Sequence, residues 1–110
     1  MEWTTERRYR RYEDWTREEK QAIQDLMAKS PWHTHYHVEP KTGLLNDPNG
    51  FSYFDGKWIL FYQNFPFGAA HGLKSWVQTE SEDLVHFTET GVTLLPDTDL
   101  DSHGAYSGSA

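Results

Sequence analysis

Two periodicities divide the chain. Between Thr16 and Ser30 the apolar residues Ala22, Ile23, Leu26 and Met27 recur at helical spacing and form one stripe. Thr16-Arg17-Glu18-Glu19 has the spacing of a capping box, in which Thr16 accepts from a first-turn amide and Glu19 reaches back. Pro31 disfavours helix at Ser30, so the spacing predicts a helix that ends there. Its stripe has to cover an edge or face of the C-terminal portion. Beyond Pro31 the pattern changes to short aromatic and β-branched runs. Phe51-Ser52-Tyr53-Phe54 and Lys57-Trp58-Ile59-Leu60-Phe61-Tyr62 flank Asp55-Gly56, a strong hairpin signal because Asp-Gly supplies the positive-φ pair of a type I′ turn. Ser75 to Glu80, Leu84 to Thr88 and Gly91 to Leu95 read as further strands, the last closed by Pro96-Asp97. The expected fold class is mainly β: an N-terminal helix followed by a meander of the kind found in barrels, sandwiches or propeller blades.

Charge sharpens this division. Residues 1–30 hold seven bases and seven acids, whereas residues 31–110 hold three lysines, ten acids and all six histidines. The expected organisation is therefore an N-terminal arm and helix over 1–31 and a β portion over 32–110. Arg7 to Arg11, interrupted by Tyr9, reads as a solvated arm balanced by nearby acids. The net charge of −7 argues against a nucleic-acid partner, since phosphate backbones call for a basic face. No apolar run approaches the ~20 residues of a membrane span, so no membrane partner is expected. The first residues lack an apolar signal core, which favours a cytoplasmic location. Without cysteine there is neither a disulfide framework nor a thiolate site. The final Tyr106-Ser107-Gly108-Ser109-Ala110 resembles the opening of a strand, so the chain reads as a truncated piece of something larger.

The densest candidate chemistry is Gly43-Leu44-Leu45-Asn46-Asp47-Pro48-Asn49-Gly50, just before the hairpin. Asp47 to Gly50 fit the four positions of a turn, with Pro48 stiffening the backbone. A carboxylate at Asp47 would then be held as a nucleophile must be, although Asn and Asp merely capping a turn is the commoner use of such residues. Gln63 offers an amide that donates and accepts, Trp58 and Trp76 offer faces for a sugar ring, and Ser107 offers a hydroxyl. His33, His35 and His37 alternate, which would fit a three-histidine metal site or, with more weight, a half-buried strand.

Together these segments resemble glycoside hydrolase family 32. The resemblance rests on Tyr36-His37-Val38-Glu39-Pro40, Gly43 to Gly50, Phe61-Tyr62-Gln63, Asp83-Leu84-Val85-His86-Phe87 and Tyr106-Ser107-Gly108-Ser109, in the family's order and approximate spacing. It covers about residues 32–110. Leu44-Leu45, where many members carry Trp-Met, points to a bacterial subgroup that acts on sucrose 6-phosphate; His71, where many invertases carry a pocket Trp, would offer a cationic or donor group to a phosphate, with Lys74 nearby.

The resemblance implies the first blade of a five-bladed β-propeller. It also implies retaining hydrolysis of a β-D-fructofuranoside through a fructosyl-enzyme ester. Asp47 matches the nucleophile; Leu44, Leu45, Asn46, Gln63, Tyr106 and Ser107 match substrate-binding positions. The acid/base glutamate and a transition-state-stabilising aspartate belong to later motifs absent from this chain, so the chain alone is expected to be inactive. No cofactor or metal is implied, because two carboxylates suffice for this chemistry. The expected partner is a small sugar, sucrose 6-phosphate or sucrose. Competing readings are an invertase or fructan hydrolase of the same family, and a non-catalytic sugar-binding module using Trp58, Trp76 and Gln63.

Overall fold

A computed structural model describes residues 2–109. It contains helix α1 (Thr5–Arg8), helix α2 (Arg17–Ala28) and strands β1 (Leu44–Phe54), β2 (Lys57–Phe65), β3 (Ser75–Ser81) and β4 (Thr88–Leu94). Short 3-10 turns lie at Tyr12–Asp14 and Asp99–Asp101. The strands form one antiparallel meander in the order β1-β2-β3-β4. Among the described residues no helix is long and apolar enough to cross a membrane.

α2 starts and stops where the sequence predicts. The Glu19 amide donates to Thr16 Oγ1 at 3.1 Å and the Thr16 amide to Glu19 Oε2 at 2.9 Å, completing the capping box. The Lys29 and Ser30 amides close the last turn on Leu26 and Met27 carbonyls. The apolar stripe is only partly used. Ile23 packs on the core and Met27 is half-buried, but Leu26 is 71% exposed.

The hairpin between β1 and β2 also matches expectation. Asp55 and Gly56 both have positive φ, 49° and 81°, and Phe54 pairs with Lys57 across the turn. β3 buries Ser75, Val77, Thr79 and Ser81 on one face, while Trp76, Gln78 and Glu80 on the other are half-covered.

Three expectations are corrected. First, of the expected strand Leu84 to Thr88 only Thr88 is extended into a strand, and the fourth strand runs from Thr88 to Leu94. Local side-chain bonds outcompete β propensity here. Ser81 Oγ accepts from the Asp83 and Leu84 amides, Asp83 Oδ1 accepts from the Val85 and His86 amides, and Leu84 takes φ 65°. Second, the arm is solvated only in part: Arg11 is exposed beside Glu13, but Arg7, Arg8 and Arg10 are half-buried. Trp15 is buried and stacks on Phe67 at 4.2 Å between centroids, with Phe65 completing the core and Trp3, Tyr12, Ile23, Leu44 and Ala70 around it. The Arg7 guanidinium lies over the Trp3 and Trp15 rings and Arg10 over Trp15, so these bases cover aromatic faces. Third, His33, His35 and His37 are exposed and lie in no strand, His35 and His37 falling in a bend.

Tyr12 ties the arm to the sheet. Its hydroxyl donates towards the Leu73 carbonyl at 3.0 Å and the Asn64 carbonyl at 3.3 Å, and burial pushes its pKa up to about 12. The Leu73 amide in turn donates to the Arg8 carbonyl at 2.8 Å. These bonds bring Tyr9 to the same end of the sheet as Asp47.

Candidate active site

Asp47 to Gly50 do not form a turn. They are part of β1, which bulges twice against β2. Leu45 pairs with Asn64 and Pro48 with Tyr62, leaving one extra residue on β1; Asn49 pairs with Phe61 and Ser52 with Ile59, leaving another. β1 is an edge strand, where a proline without an N–H is tolerated. Gly50, at φ 53°, supplies the left-handed residue of the second bulge. The Asn49 side chain holds the distortion, with Nδ2 donating to the Asp47 carbonyl at 3.0 Å and Oδ1 accepting from the Gly108 amide at 3.2 Å. Bulges re-aim side chains, and this pair turns Asp47 outward from the sheet.

Both oxygens of the Asp47 carboxylate are engaged. Asn46 Nδ2 donates to Oδ1 at 2.8 Å, and Ser107 Oγ donates to Oδ2 at 2.5 Å from 60 residues away. Asn46 is itself oriented by Gln63, whose Oε1 accepts from the same Nδ2 at 3.0 Å. Buried Gln63 donates through Nε2 to the Ala105 carbonyl at 2.6 Å. A chain of hydrogen bonds thus runs from the centre of the sheet to one exposed carboxylate. Such bonds fix its orientation.

Asp47 opens into a cleft of about 320 Å³. Four other residues predicted from sequence, Asn46, Gln63, Tyr106 and Ser107, line it too. Leu44 and Leu45 do not: Leu44 packs against the aromatic core, and Leu45 sits in β1 opposite Asn64. Tyr106 is exposed, and its carbonyl accepts from Trp76 Nε1 at 3.1 Å. Trp58 is remote, stacked on Phe51 by the hairpin and paired with Ser81, whereas Trp76 pairs with Gln63. The two tryptophans therefore do not build one sugar platform.

The cleft also gathers Tyr9, His71, Lys74 and His103. Tyr9 had no sequence signal, because only the docking of the arm brings it here. Its ring lies 5.6 Å from that of His103. Lys74 Nζ donates to His71 Nδ1 at 2.9 Å. Burial pushes the Lys74 pKa down, against the opposing pull of the Asp47 charge. Asp47 is the one carboxylate among the described residues lining this cleft.

The histidine-rich segment borders a separate hollow of about 510 Å³. His33 uses both ring nitrogens, Nδ1 towards Glu39 Oε1 at 2.8 Å and Nε2 towards the Met27 carbonyl at 3.0 Å. Those bonds raise its pKa, Glu39 contributing most. The Thr34 amide first, and His33 second, lower the Glu39 pKa to about 2. Among the described residues no group of three or more His, Cys, Asp or Glu is placed to hold a metal ion.

The N-terminal domain of glycosyl hydrolases family 32 matches residues 37–110. A sucrose-6-phosphate hydrolase from Streptococcus mutans is 77% identical over 103 residues, covering 94% of this chain and 22% of the relative. The structure of sucrose-6-phosphate hydrolase from Lactobacillus gasseri superposes with a TM-score of 0.94 at 54% identity, over 99% of this chain and 22% of that one. A mutant family-32 beta-fructofuranosidase from Bombyx mori in complex with sucrose superposes with a TM-score of 0.70 at 36% identity, over 86% of this chain and 20% of that one. The chain thus spans about a fifth of the length of the relatives it matches.

Proposed function

Since the chain belongs to glycosyl hydrolases family 32, we propose that it supplies the nucleophile side of an enzyme cleaving sucrose 6-phosphate with retention. The observation that carries this reading is the Asp47 carboxylate, gripped on both oxygens by Asn46 and Ser107 at the wall of a cleft. Asp47 attacks the anomeric carbon of the fructosyl unit, and the glycosidic C–O bond breaks to leave a fructosyl ester. Water then hydrolyses that ester. A retaining site needs a second carboxyl roughly 5 Å away, first as acid and then as base. Among the described residues no other carboxylate lines the cleft, so that group comes from residues outside this chain.

Ser107 and Asn46 keep the attacking oxygens aimed and must yield part of their bonding as the ester forms. Gln63 orients Asn46 and remains available at the cleft wall for a sugar hydroxyl. Tyr106 lines the mouth. Leu44 and Leu45 act through the backbone they share with Asn46 and Asp47. Residues 1–31 serve as a brace, with Trp3, Tyr12 and Trp15 gripping the end of β2. The sheet is the first blade of a five-bladed propeller in this reading, and exposed Phe51, Tyr53, Val92 and Leu94 are the surfaces that further blades would cover. A substrate phosphorylated on uptake implies a cytoplasmic location.

The test is turnover by the full-length protein. Rapid hydrolysis of sucrose 6-phosphate, and a denaturation-trapped fructosyl ester on Asp47, are the expected results. Preference for plain sucrose or inulin would move the reading to an invertase or fructan hydrolase. Sugar binding without turnover would move it to a non-catalytic module.

A further inference from the structure

The β portion holds ten acids and only three lysines, a poor composition for receiving an anion. The placement of those lysines changes this picture. Lys41 Nζ lies 3.0 Å from Glu89 Oε1, and Lys57 Nζ lies 2.8 Å from Glu80 Oε2. Lys74 has no carboxylate within ion-pair distance among the described residues. It is partly buried, and it lines the cleft of Asp47. With ten acids in the β portion, a lysine that forms an ion pair with none of the described carboxylates keeps donors free to meet an anion at the cleft.

The surroundings of Lys74 are built to hold it there. Its carbonyl accepts from the Ala105 amide at 2.8 Å, and its backbone lies so close to Gly104 that an added Cβ would come 3.1 Å from the Lys74 nitrogen. Its ammonium donates to His71 Nδ1, which puts the ring proton of His71 on Nε2 and makes that nitrogen a donor. His103 and Tyr9 add polar groups to the same wall. Asp47 contributes the only carboxylate among the described residues there, and it is the group that receives the fructosyl carbon.

We propose that Lys74, with His71, forms the subsite for the phosphomonoester of the substrate's leaving sugar. This assignment rests on the reading that the cleft takes a phosphorylated fructoside. The anion is met by an ammonium that retains two free N–H donors and by one imidazole N–H, a point-charge mode of phosphate binding.

The experiment compares full-length protein with its Lys74→Met, Lys74→Arg and His71→Ala forms on sucrose 6-phosphate and on sucrose. It also measures inhibition, or direct binding, by glucose 6-phosphate and by glucose. The expected result is a loss of roughly 10- to 100-fold in the kcat/KM ratio of phosphorylated over plain sucrose in Lys74→Met. Lys74→Arg should keep part of that ratio, and His71→Ala should lose a smaller part. Glucose 6-phosphate should lose its advantage over glucose in parallel. If both substrates slow in step, Lys74 acts on Asp47 and the subsite is overturned; an unchanged ratio overturns it as well. Unmodified protein that cleaves both sugars equally has no phosphate subsite, yet remains a glycosidase. Protein that cleaves neither, but binds glucose 6-phosphate over glucose through Lys74, keeps the subsite and refutes the hydrolase. Equal binding of the two in such a protein refutes both.

Discussion

Two aspartates at opposite ends of the sheet look alike in their bonding and differ in what they serve. Asp83 accepts from the Val85 and His86 amides and from His86 Nδ1 at 2.6 Å, and Ser81 Oγ donates to it at 3.1 Å. Every partner lies within three residues, and together they hold its pKa well below the usual carboxylate range, His86 foremost. Asp47 accepts from its neighbour Asn46 and from Ser107, and it stands behind Gln63 and Ala105 in a connected network. Bonds among near neighbours save a few residues from searching for a turn, so Asp83 shapes the chain. Bonds drawn from 60 residues away cost far more ordering entropy, and that cost yields one carboxylate oriented in a cleft.

The sharpest way to break this contrast is to neutralise each aspartate in the full-length protein. Asp47→Asn should lower kcat by about 10⁴-fold or more, with the melting temperature nearly unchanged. Asp83→Asn should lower the melting temperature while the folded fraction keeps its activity. Equal effects of the two changes would remove the distinction.

Ser107→Ala probes the long-range bond alone. Removal of one hydrogen bond to a charged oxygen should reduce kcat roughly 10- to 100-fold, because the nucleophile gains freedom to rotate. Fructosyl-ester formation in a single turnover should slow with it. A raised KM at constant kcat would make Ser107 a substrate contact instead.

Gly72→Ala tests whether the arm and the cleft are mechanically joined. A methyl group there would collide with the Arg8 carbonyl and the Phe65 ring. The expected cost is about 1–3 kcal/mol in denaturant unfolding, with the arm becoming susceptible to proteolysis before the sheet. Wild-type stability would mean that the arm docks only loosely.

The smallest effect concerns the exposed His33–Glu39 pair. Glu39 has a depressed pKa, so its contribution is present above the unfolded value of about 4.3 and is lost as pH falls towards about 2. His33 has a raised pKa, so its contribution is complete below about 6.5 and is lost as pH rises through the elevated folded value. The Thr34 amide, which donates to Glu39 at 3.0 Å, should therefore be best protected from hydrogen exchange between about pH 4.5 and 6.5. Flat protection from about pH 3 to 9 would show that the pair contributes nothing.

The sequence was most legible where structure is written locally. The capping box at Thr16 and Glu19 and the positive-φ pair Asp55-Gly56 involve residues within a few positions of each other, so their chemistry announces itself. The same local chemistry misled at Leu84 to Phe87, where Ser81 and Asp83 imposed a turn on residues with strand propensity. It misled again at Asp47 to Gly50, because Asp, Pro, Asn and Gly suit a turn and a bulged edge strand equally well. Which one forms depends on β2 lying alongside and on Gly108 bonding to Asn49.

By itself, then, the sequence determined the family, the helix limits, the hairpin and the presence of Asn46, Asp47, Gln63 and Ser107. Short-range hydrogen bonding and side-chain periodicity encode the elements, and the joint motifs encode the family. Only tertiary structure decided that Arg7 and Arg10 lie on tryptophan faces, that Tyr9 reaches the cleft, and that among the described residues Lys74 has no carboxylate at ion-pair distance while Lys41 and Lys57 each have one. Charge totals are additive along a chain, but pairing depends on distance, and distances between remote residues exist only once the sheet has formed.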